Sequence, residues 1–143
     1  MAEKILIVDD EPDMLKLLSM TIQRKTPYQV SVTNNPLEAL ELAKKGGFDL
    51  VITDLKMPGL DGIELLRAVK NLNPDTPVIM MTAYGTVESA SEAMEKGGFD
   101  FITKPFRIEH ILFAIERAMK WIKLQQENKL LRDQLQKKEN TSQ

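Results

Sequence analysis

The sequence predicts a doubly wound α/β protein, in which helices cover both faces of one five-stranded parallel sheet. Five short apolar runs alternate with segments whose apolar residues recur at helical spacing. Parallel strands need crossover connections, and right-handed crossovers place helices on both faces of a sheet. With 143 residues, 43% of them hydrophobic, the chain is long enough for one compact core but too short for two ordinary domains.

Each element of this fold has a local signal. The strands are predicted at residues 4–8, 28–33, 49–53, 77–81 and 99–103. The helices are predicted after Asp10, between Pro36 and Gly46, across Ile63–Val69, from about residue 86 to 96, and after Pro105. Proline near a helix start and glycine just past a helix end are the usual boundary residues. The order of elements is therefore strand then helix, five times.

Composition excludes several classes of function. The formal net charge is -2 with both signs dispersed, so we expect this segment to bind neither nucleic acid nor an anionic membrane. Cysteine is absent, which removes disulfides, thiolate metal sites and a cysteine nucleophile. The apolar runs are too short to span a membrane, and the N-terminus lacks the pattern of a secretory signal. We therefore expect a soluble, cytoplasmic protein.

Polar side chains follow four of the five predicted strands. Asp9 and Asp10 follow the first strand, Asp54 the third, Thr82 the fourth and Lys104 the fifth. Singly, each of the aspartates and the threonine could be a helix cap or a turn residue. The carboxyl ends of parallel strands meet at one edge of the sheet, which is where ligands of doubly wound folds bind. Together these residues predict a single pocket.

The residue types in this pocket predict phosphoryl chemistry. Three neighbouring carboxylates repel each other at neutral pH unless they take up a proton or a cation. A donor set of oxygens without His or Cys suits Mg²⁺, which commonly bridges carboxylates to a phosphate. Lys104 can meet an anion from the opposite side as a point charge. The combination indicates phosphoryl transfer to a carboxylate.

Four ordered motifs, "IVDDE", "VITDLKMPGLDG", "MMTAYG" and "FITKPF", resemble the receiver domain of two-component response regulators, which has a flavodoxin-like fold. The resemblance covers about residues 4–121. It implies that Asp54 is the phosphoacceptor and that a sensor histidine kinase supplies the phosphoryl group. It also implies a Mg²⁺ ion held by Asp54, by Asp10, by Asp9 partly through water, and by the main-chain carbonyl of Lys56.

The same resemblance implies a switch. Thr82 matches the hydroxyl that turns toward the phosphoryl group, and Lys104 the lysine that pairs with it. Pro105 follows that lysine, in a peptide bond that is usually cis in the family. Phe101 takes the aromatic position of the switch, where Tyr is common, although an ordinary core ring is an equal alternative. Tyr84 lies where side chains of the family modulate the lifetime of the phosphoryl group.

The expected readout element is the fourth helix with its preceding loop and the fifth strand. Small residues dominate this helix and favour a loosely held element. They are Gly85, Ser89, Ala90, Ser91 and Ala93. A weakly amphipathic surface helix explains the same pattern without any switch.

The last segment predicts a helix much longer than the sheet needs. No helix breaker occurs from Ile108 to about Asn140, whereas an average helix has about 11 or 12 residues. The apolar positions up to Ile122 suit packing on the sheet. Beyond them, five residues step by 3, 4, 3 and 4 and form a heptad seam: Trp121, Leu124, Asn128, Leu131 and Leu135.

This seam predicts a homodimer through the C-terminal helix. An Asn at an a-type position, here Asn128, favours a parallel two-stranded coiled coil. We predict a receiver domain at residues 1–121 and a linker helix at 122–143 that forms a short coiled coil. Only about two heptads are present, so a solvated helix with chance spacing is the alternative.

The stretch "QQENKLLRDQL" resembles the linker that joins receiver to ATPase domain in nitrogen-regulator-type, sigma-54-dependent transcription activators. This implies regulation of transcription through an attached or partner output domain. The chain contains neither a glycine-rich phosphate loop nor a recognition helix. We therefore expect either a fragment of a larger activator or a stand-alone receiver that acts by protein–protein interaction.

Two other classes fit the sequence less well. A magnesium-dependent phosphatase of the haloacid-dehalogenase kind has a second Asp two residues after its nucleophile, and Lys56 occupies that position. A flavin-binding module needs a hydroxyl- and glycine-rich loop after the first strand, where this chain has the acidic "DDEPDM". We expect no enzyme beyond self-catalysed phosphorylation and dephosphorylation.

Overall fold

A computed structural model describes residues 3–83 and 87–141 and has the predicted five-stranded α/β architecture. The strands are β1 (Lys4–Val8), β2 (Gln29–Thr33), β3 (Leu50–Asp54), β4 (Val78–Thr82) and β5 (Asp100–Thr103). All pair in parallel, in the order β2-β1-β3-β4-β5. The chain therefore reverses its direction of travel across the sheet between β1 and β3, and ligands of such sheets bind at this point.

Helices follow each strand, as predicted. They are α1 (Pro12–Lys25), α2 (Pro36–Lys45), α3 (Gly62–Leu72), α4 (Val87–Glu95) and α5 (Ile108–Thr141). The Asn35 side chain caps α2 by accepting from the amides of Leu37 and Glu38, and Asp61 caps α3 by accepting from the Ile63 amide. Among the described residues, no helix has both the length and the hydropathy to cross a membrane.

Two apolar clusters sandwich the sheet. Alternate strand residues point to opposite faces, so Ile7 and Ile52 pack under α1 and α5, whereas Leu6 and Val51 pack under α2 and α3. The strands β1, β3 and β4 are buried on both faces, which explains their continuous apolar runs. Truncating one of these side chains to Ala costs about 2–5 kcal/mol. This core holds the strand ends in fixed positions.

The long helix α5 has two parts. Its first part packs on the sheet through four buried residues: Ile111, Ala114, Ile115 and Ala118. From Lys123 to Lys137 no side chain is buried, and Gln125 alone is partly exposed. The predicted extended C-terminal helix is therefore confirmed, and its second part projects from the domain. The domain boundary near residue 121 remains a prediction.

Candidate functional site

The carboxyl edge of the sheet brings the predicted polar residues together. Asp9 follows β1, Asp54 is the last residue of β3, and Thr82 is the last residue of β4. Lys104 follows β5, and its amide donates to the Thr82 carbonyl at 2.7 Å. The sheet ladder extends one residue further than expected at Asp54, because the next amide, that of Leu55, donates to the Met81 carbonyl at 2.7 Å. The site is thus built on the core strands.

Lys104 joins two buried carboxylates. Its Nζ donates to Asp9 Oδ2 at 2.7 Å and to Asp54 Oδ2 at 3.3 Å. Asp9 is 0% exposed and Asp54 is 6% exposed, so both carboxylates lie largely out of water. Glu11, with its Oε1 at 3.8 Å from the same nitrogen, adds a weaker and more exposed contact. One ammonium group therefore compensates two carboxylates, and the site keeps excess negative charge.

The backbone orients these carboxylates. Asp9 Oδ1 accepts from the Glu11 amide at 2.9 Å, and Asp54 Oδ1 accepts from the Lys56 amide at 3.4 Å. The Lys56 peptide, which was predicted to offer a metal ligand, therefore lies beside Asp54, while its side chain is exposed. These bonds leave each carboxylate with further lone pairs for a ligand.

Burial controls the acidity of the site. It raises the pKa of Asp9, against the opposing hydrogen bonds from Lys104 and the Glu11 amide. Burial also raises the pKa of Asp54, with the charge of Lys104 opposing the shift and that of Asp9 adding to it. For Lys104, burial disfavours the ammonium, but the hydrogen bond and charge of Asp9 and the charge of Asp54 outweigh it, so its pKa is raised. A raised pKa means that the carboxyl groups of Asp9 and Asp54 hold their protons more tightly. A cation bound in place of these protons would relieve the repulsion between the two carboxylates.

The donor set fits a magnesium ion. Oxygen atoms of Asp9, Asp10 and Asp54 all lie within 4.8 Å of one another. Opposite ligands of Mg²⁺ are about 4 Å apart, so a small adjustment would close the set around one ion. Asp10 is exposed, and α1 has Glu11 as its N-cap residue, so helix capping does not explain Asp10. An exposed carboxylate leaves room for the waters that Mg²⁺ retains.

Gly62 supports the site, although it was not among the predicted site residues. A Cβ at this position would overlap the main-chain oxygen of Asp54 and would lie 2.8 Å from the Leu55 Cα. The Gly62 amide also donates to the Leu55 carbonyl at 2.8 Å, which closes the turn after β3. The signal in the sequence was a glycine directly after the capping Asp61. Because glycine has no side chain, α3 can begin directly against the main chain of Asp54 and Leu55.

The predicted switch residues lie around this site. Thr82 is 0% exposed at the end of β4. Phe101 is partly exposed and packs against the cluster under α2 and α3. The Lys104–Pro105 peptide bond is cis, as the resemblance implied. Tyr84 lies outside the described residues. The proposed roles of these side chains stay predictions.

The predicted dimer residues lie far from the acidic cluster, and one of them is already engaged. The Trp121 ring lies 5.9 Å from the Phe99 ring, centroid to centroid, at a tilt of 56°. Arg117 stacks on the same Phe99 at 5.8 Å and bonds Asp100 at 3.0 Å. Sequence spacing could not indicate this cluster, because Phe99 and Trp121 are distant in the chain. The other four seam residues are exposed, and their role in a dimer stays a prediction.

The family of the chain follows from a sequence match that includes every residue of this site. The family described as the response regulator receiver domain matches residues 5–116. The chain belongs to this family. The predicted resemblance is therefore confirmed, and the receiver is a signalling module of two-component systems.

Relatives of this receiver include regulators from several bacteria. Sporulation initiation phosphotransferase F of Bacillus subtilis is 40% identical over 83% of this chain and 95% of its own length. The transcriptional regulatory protein ZraR of Klebsiella oxytoca is 38% identical over 80% of this chain. The response regulator protein PilR of Pseudomonas aeruginosa is also 38% identical, over 82%. The receiver spans only about 26% of the length of ZraR and PilR.

Solved structures agree with this assignment of the fold. The beryllofluoride-activated NtrC4 receiver domain dimer superposes with a TM-score of 0.79 and 31% identity, over 83% of this chain and 98% of that one. A receiver domain protein from Clostridium thermocellum gives a TM-score of 0.80 and 32% identity, over 85% and 98%. The predicted flavodoxin-like receiver fold is therefore confirmed.

Proposed function

We propose that this receiver is a phosphorylation-dependent signalling switch that accepts a phosphoryl group on Asp54 from a sensor histidine kinase. One observation carries the proposal. The buried Asp54 carboxylate lies 3.3 Å from the Lys104 ammonium and within ligand distance of two further carboxylates. A nucleophile, a cation for the incoming phosphate oxygens and an acidic metal site are thus joined at one strand end.

In the transfer step, a carboxylate oxygen of Asp54 attacks the phosphorus atom. The new O–P bond forms as the bond from phosphorus to the leaving group breaks, and the leaving group, an imidazole or an acetate, keeps the electron pair. Lys104 stays protonated at neutral pH because its pKa is raised, so it can compensate charge on the phosphate oxygens. The raised pKa of Asp54 also makes its carboxylate more nucleophilic once it is ionised.

Asp9, Asp10, Asp54 and the Lys56 carbonyl would hold Mg²⁺. When bound, the ion supplies charge neutralisation for the phosphate oxygens. The chain's own contribution is to keep three carboxylates close together at a fixed strand edge. In this proposal Lys104 exchanges its bond with Asp9 for one with the phosphoryl group. The Glu11 and Lys56 amides hold the carboxylates in place during that exchange.

The proposed readout begins at Thr82. Its hydroxyl would donate to the phosphoryl group, and the space that it leaves would admit the ring of Phe101. Two observations support a mobile output face. Phe101 is only partly buried, and among the described residues of α4 only Ala93 is buried. An element with so little buried surface can change position at a small cost in free energy.

We infer that the output is regulation of transcription, through an attached or partner domain of the sigma-54-dependent type. The linker resemblance supports this, as do the transcriptional regulators among the relatives. A stand-alone receiver acting by protein–protein interaction is the second candidate, favoured by the relative that is almost wholly covered by this chain. In the same proposal, the receiver acts in the cytoplasm and forms a homodimer through α5.

Incubation with acetyl phosphate and Mg²⁺, followed by intact-mass measurement, tests the acceptor. The wild-type receiver should gain one phosphoryl mass increment, and removing Mg²⁺ with a chelator should abolish it. Asp54→Asn should lose the increment while its circular dichroism stays unchanged. The matched variant Asp75→Asn, which changes an exposed loop carboxylate, should keep it. Persistence of the increment in Asp54→Asn would exclude Asp54 as the acceptor.

A further inference from the structure

Lys104 lies among three carboxylates, and one of them is outside the predicted metal site. Its ammonium nitrogen is 2.7 Å from Asp9 Oδ2, 3.3 Å from Asp54 Oδ2 and 3.8 Å from Glu11 Oε1. Asp9 and Asp54 belong, with Asp10, to the oxygen set that fits Mg²⁺. Within the described parts of the chain, Glu11 is therefore the one carboxylate that contacts Lys104 and stays outside this set.

Helix capping does not account for the side chain of Glu11. Glu11 is the N-cap residue of α1, where Ser, Thr, Asp and Asn are preferred, and its side chain makes no capping hydrogen bond. Its amide is bonded by Asp9 Oδ1 at 2.9 Å, which fixes the main chain at this point. The Glu11 side chain is 63% exposed and that of Lys104 only 8%, so Glu11 lies on the solvent side of the ammonium.

The ammonium of Lys104 needs a carboxylate partner with and without a metal. Its side chain is largely buried, so water does not replace a lost ion pair, and a buried charge without a partner is costly. In the metal-free receiver, Asp9 accepts the shorter of the two hydrogen bonds from this ammonium. A cation bound to Asp9 would repel the ammonium, so Lys104 must move away from Asp9 when the site takes up Mg²⁺.

Glu11 can receive the displaced lysine. Glu11 Oε1 and the ammonium need to approach each other by only about 1 Å to form a charge-assisted hydrogen bond. The exposed side chain of Glu11 changes rotamer readily, as exposed side chains do. The charge of Glu11 also acts to raise the pKa of Asp9, which means that these two carboxylates repel each other. A move of Lys104 toward Glu11 therefore brings positive charge to the carboxylate that binds no metal.

We propose that Glu11 is a positioning residue that holds Lys104 when Asp9 binds a cation, and that it thereby raises the affinity of the receiver for Mg²⁺. Without Glu11, cation binding would leave the ammonium poorly compensated, so the metal-free arrangement would be favoured. Held on the solvent side of the pocket, Lys104 is also placed to meet the oxygens of an incoming phosphoryl group. This role rests on the proposed function, because it serves the Mg²⁺ site, but it precedes phosphoryl transfer.

Metal titration tests this role without any phosphoryl donor. In isothermal titration calorimetry, Glu11→Gln should raise the Kd for Mg²⁺ about threefold, the size expected from one partly exposed ion pair. Glu11→Asp keeps the charge but is one methylene shorter, so it should raise the Kd similarly. Asp13→Asn removes the same charge from an exposed position in the first turn of α1 and should leave the Kd nearly unchanged. A wild-type Kd in either Glu11 variant would overturn the proposal.

A double-mutant cycle separates the contact with Lys104 from a general effect of charge. Lys104→Gln removes the ammonium that competes with the cation, so it should lower the Kd for Mg²⁺. In this background, Glu11→Gln should change the Kd much less than in the wild type. An equal loss of affinity in both backgrounds would overturn the positioning role, as would a wild-type receiver that binds no Mg²⁺. If the cycle shows the expected coupling while Asp54 takes no phosphoryl group from acetyl phosphate, the positioning role stands and the proposed function fails.

Discussion

Because the carboxylate of Asp54 is buried, the stability of the fold should depend on pH and on bound metal. Its pKa lies above the ordinary value of 3.8 in the folded, metal-free receiver, mainly because of burial. A group with a raised pKa in the folded state stabilises the fold below pH 3.8, and this contribution is lost as the pH rises through the folded-state pKa. The ionised site therefore costs stability at neutral pH, which a bound cation or a neutral side chain would recover.

Asp54→Asn should accordingly stabilise the metal-free receiver at pH 7, by on the order of 1 kcal/mol in the free energy of unfolding. The gain should shrink as the pH falls and vanish below 3.8, where both proteins are neutral at this position. Urea unfolding across this pH range measures it. Asp133→Asn, on the exposed extension, should show no such gain. Equal stability of wild type and Asp54→Asn from acid to neutral pH would contradict the burial argument.

Gly62 is predicted to act on Asp54 through sterics. In an ordinary helix start, Gly→Ala stabilises by reducing the entropy of the unfolded chain. Here the new Cβ would overlap the Asp54 carbonyl oxygen, so Gly62→Ala should destabilise by about 1–3 kcal/mol and slow phosphorylation by acetyl phosphate. Gly46→Ala is the control. It should cost about 1 kcal/mol from its positive φ of 79° without changing the phosphorylation rate.

At the scale of elements, the first part of α5 packs on the sheet, and we propose that its second part pairs with another copy of the chain. The Trp121 ring contacts Phe99, so we expect Trp121 to act mainly in the first part. Trp121→Ala should lower the free energy of unfolding of the receiver by about 1–3 kcal/mol, because the ring contact with Phe99 is lost. It should leave the dimer Kd nearly unchanged. Leu135→Ala should do the opposite and weaken the dimer without destabilising the domain. Urea unfolding and sedimentation equilibrium measure the two effects, and a strong loss of dimer in Trp121→Ala would show that this residue belongs to the seam, as its spacing predicts.

For the whole molecule, the proposed switch connects the acidic site at the edge of the sheet to α4 and β5. Beryllofluoride with Mg²⁺ should change backbone amide shifts across residues 82–105, which run from the site through α4 and β5, and leave most of α2 unchanged. The weak burial of α4 is the physical reason for expecting this response there. Asp54→Asn, with the same additions, should show no changes. Unchanged shifts across residues 82–105 in the wild type would exclude this readout.

The sequence by itself determined the fold and the members of the acidic cluster. Five buried runs with helical segments between them allow few arrangements other than a parallel sheet, and such a sheet must bring Asp9, Asp54 and Lys104 to one edge. Strand bounds differed from the prediction by a residue or so, since hydrogen bonds between neighbouring strands, such as that of the Leu55 amide, set where a ladder ends.

Only the tertiary structure decided several contacts that no sequence pattern predicts. Three such contacts join segments that are distant in the chain or separated by a turn. They are the lysine bridge between Asp9 and Asp54, the overlap that excludes a side chain at position 62, and the tilted contact between the rings of Trp121 and Phe99. Heptad spacing assigns Trp121 to a seam because periodicity records the side of a helix on which a residue lies. Periodicity does not indicate whether a residue from a distant segment, such as Phe99, contacts that side of the helix.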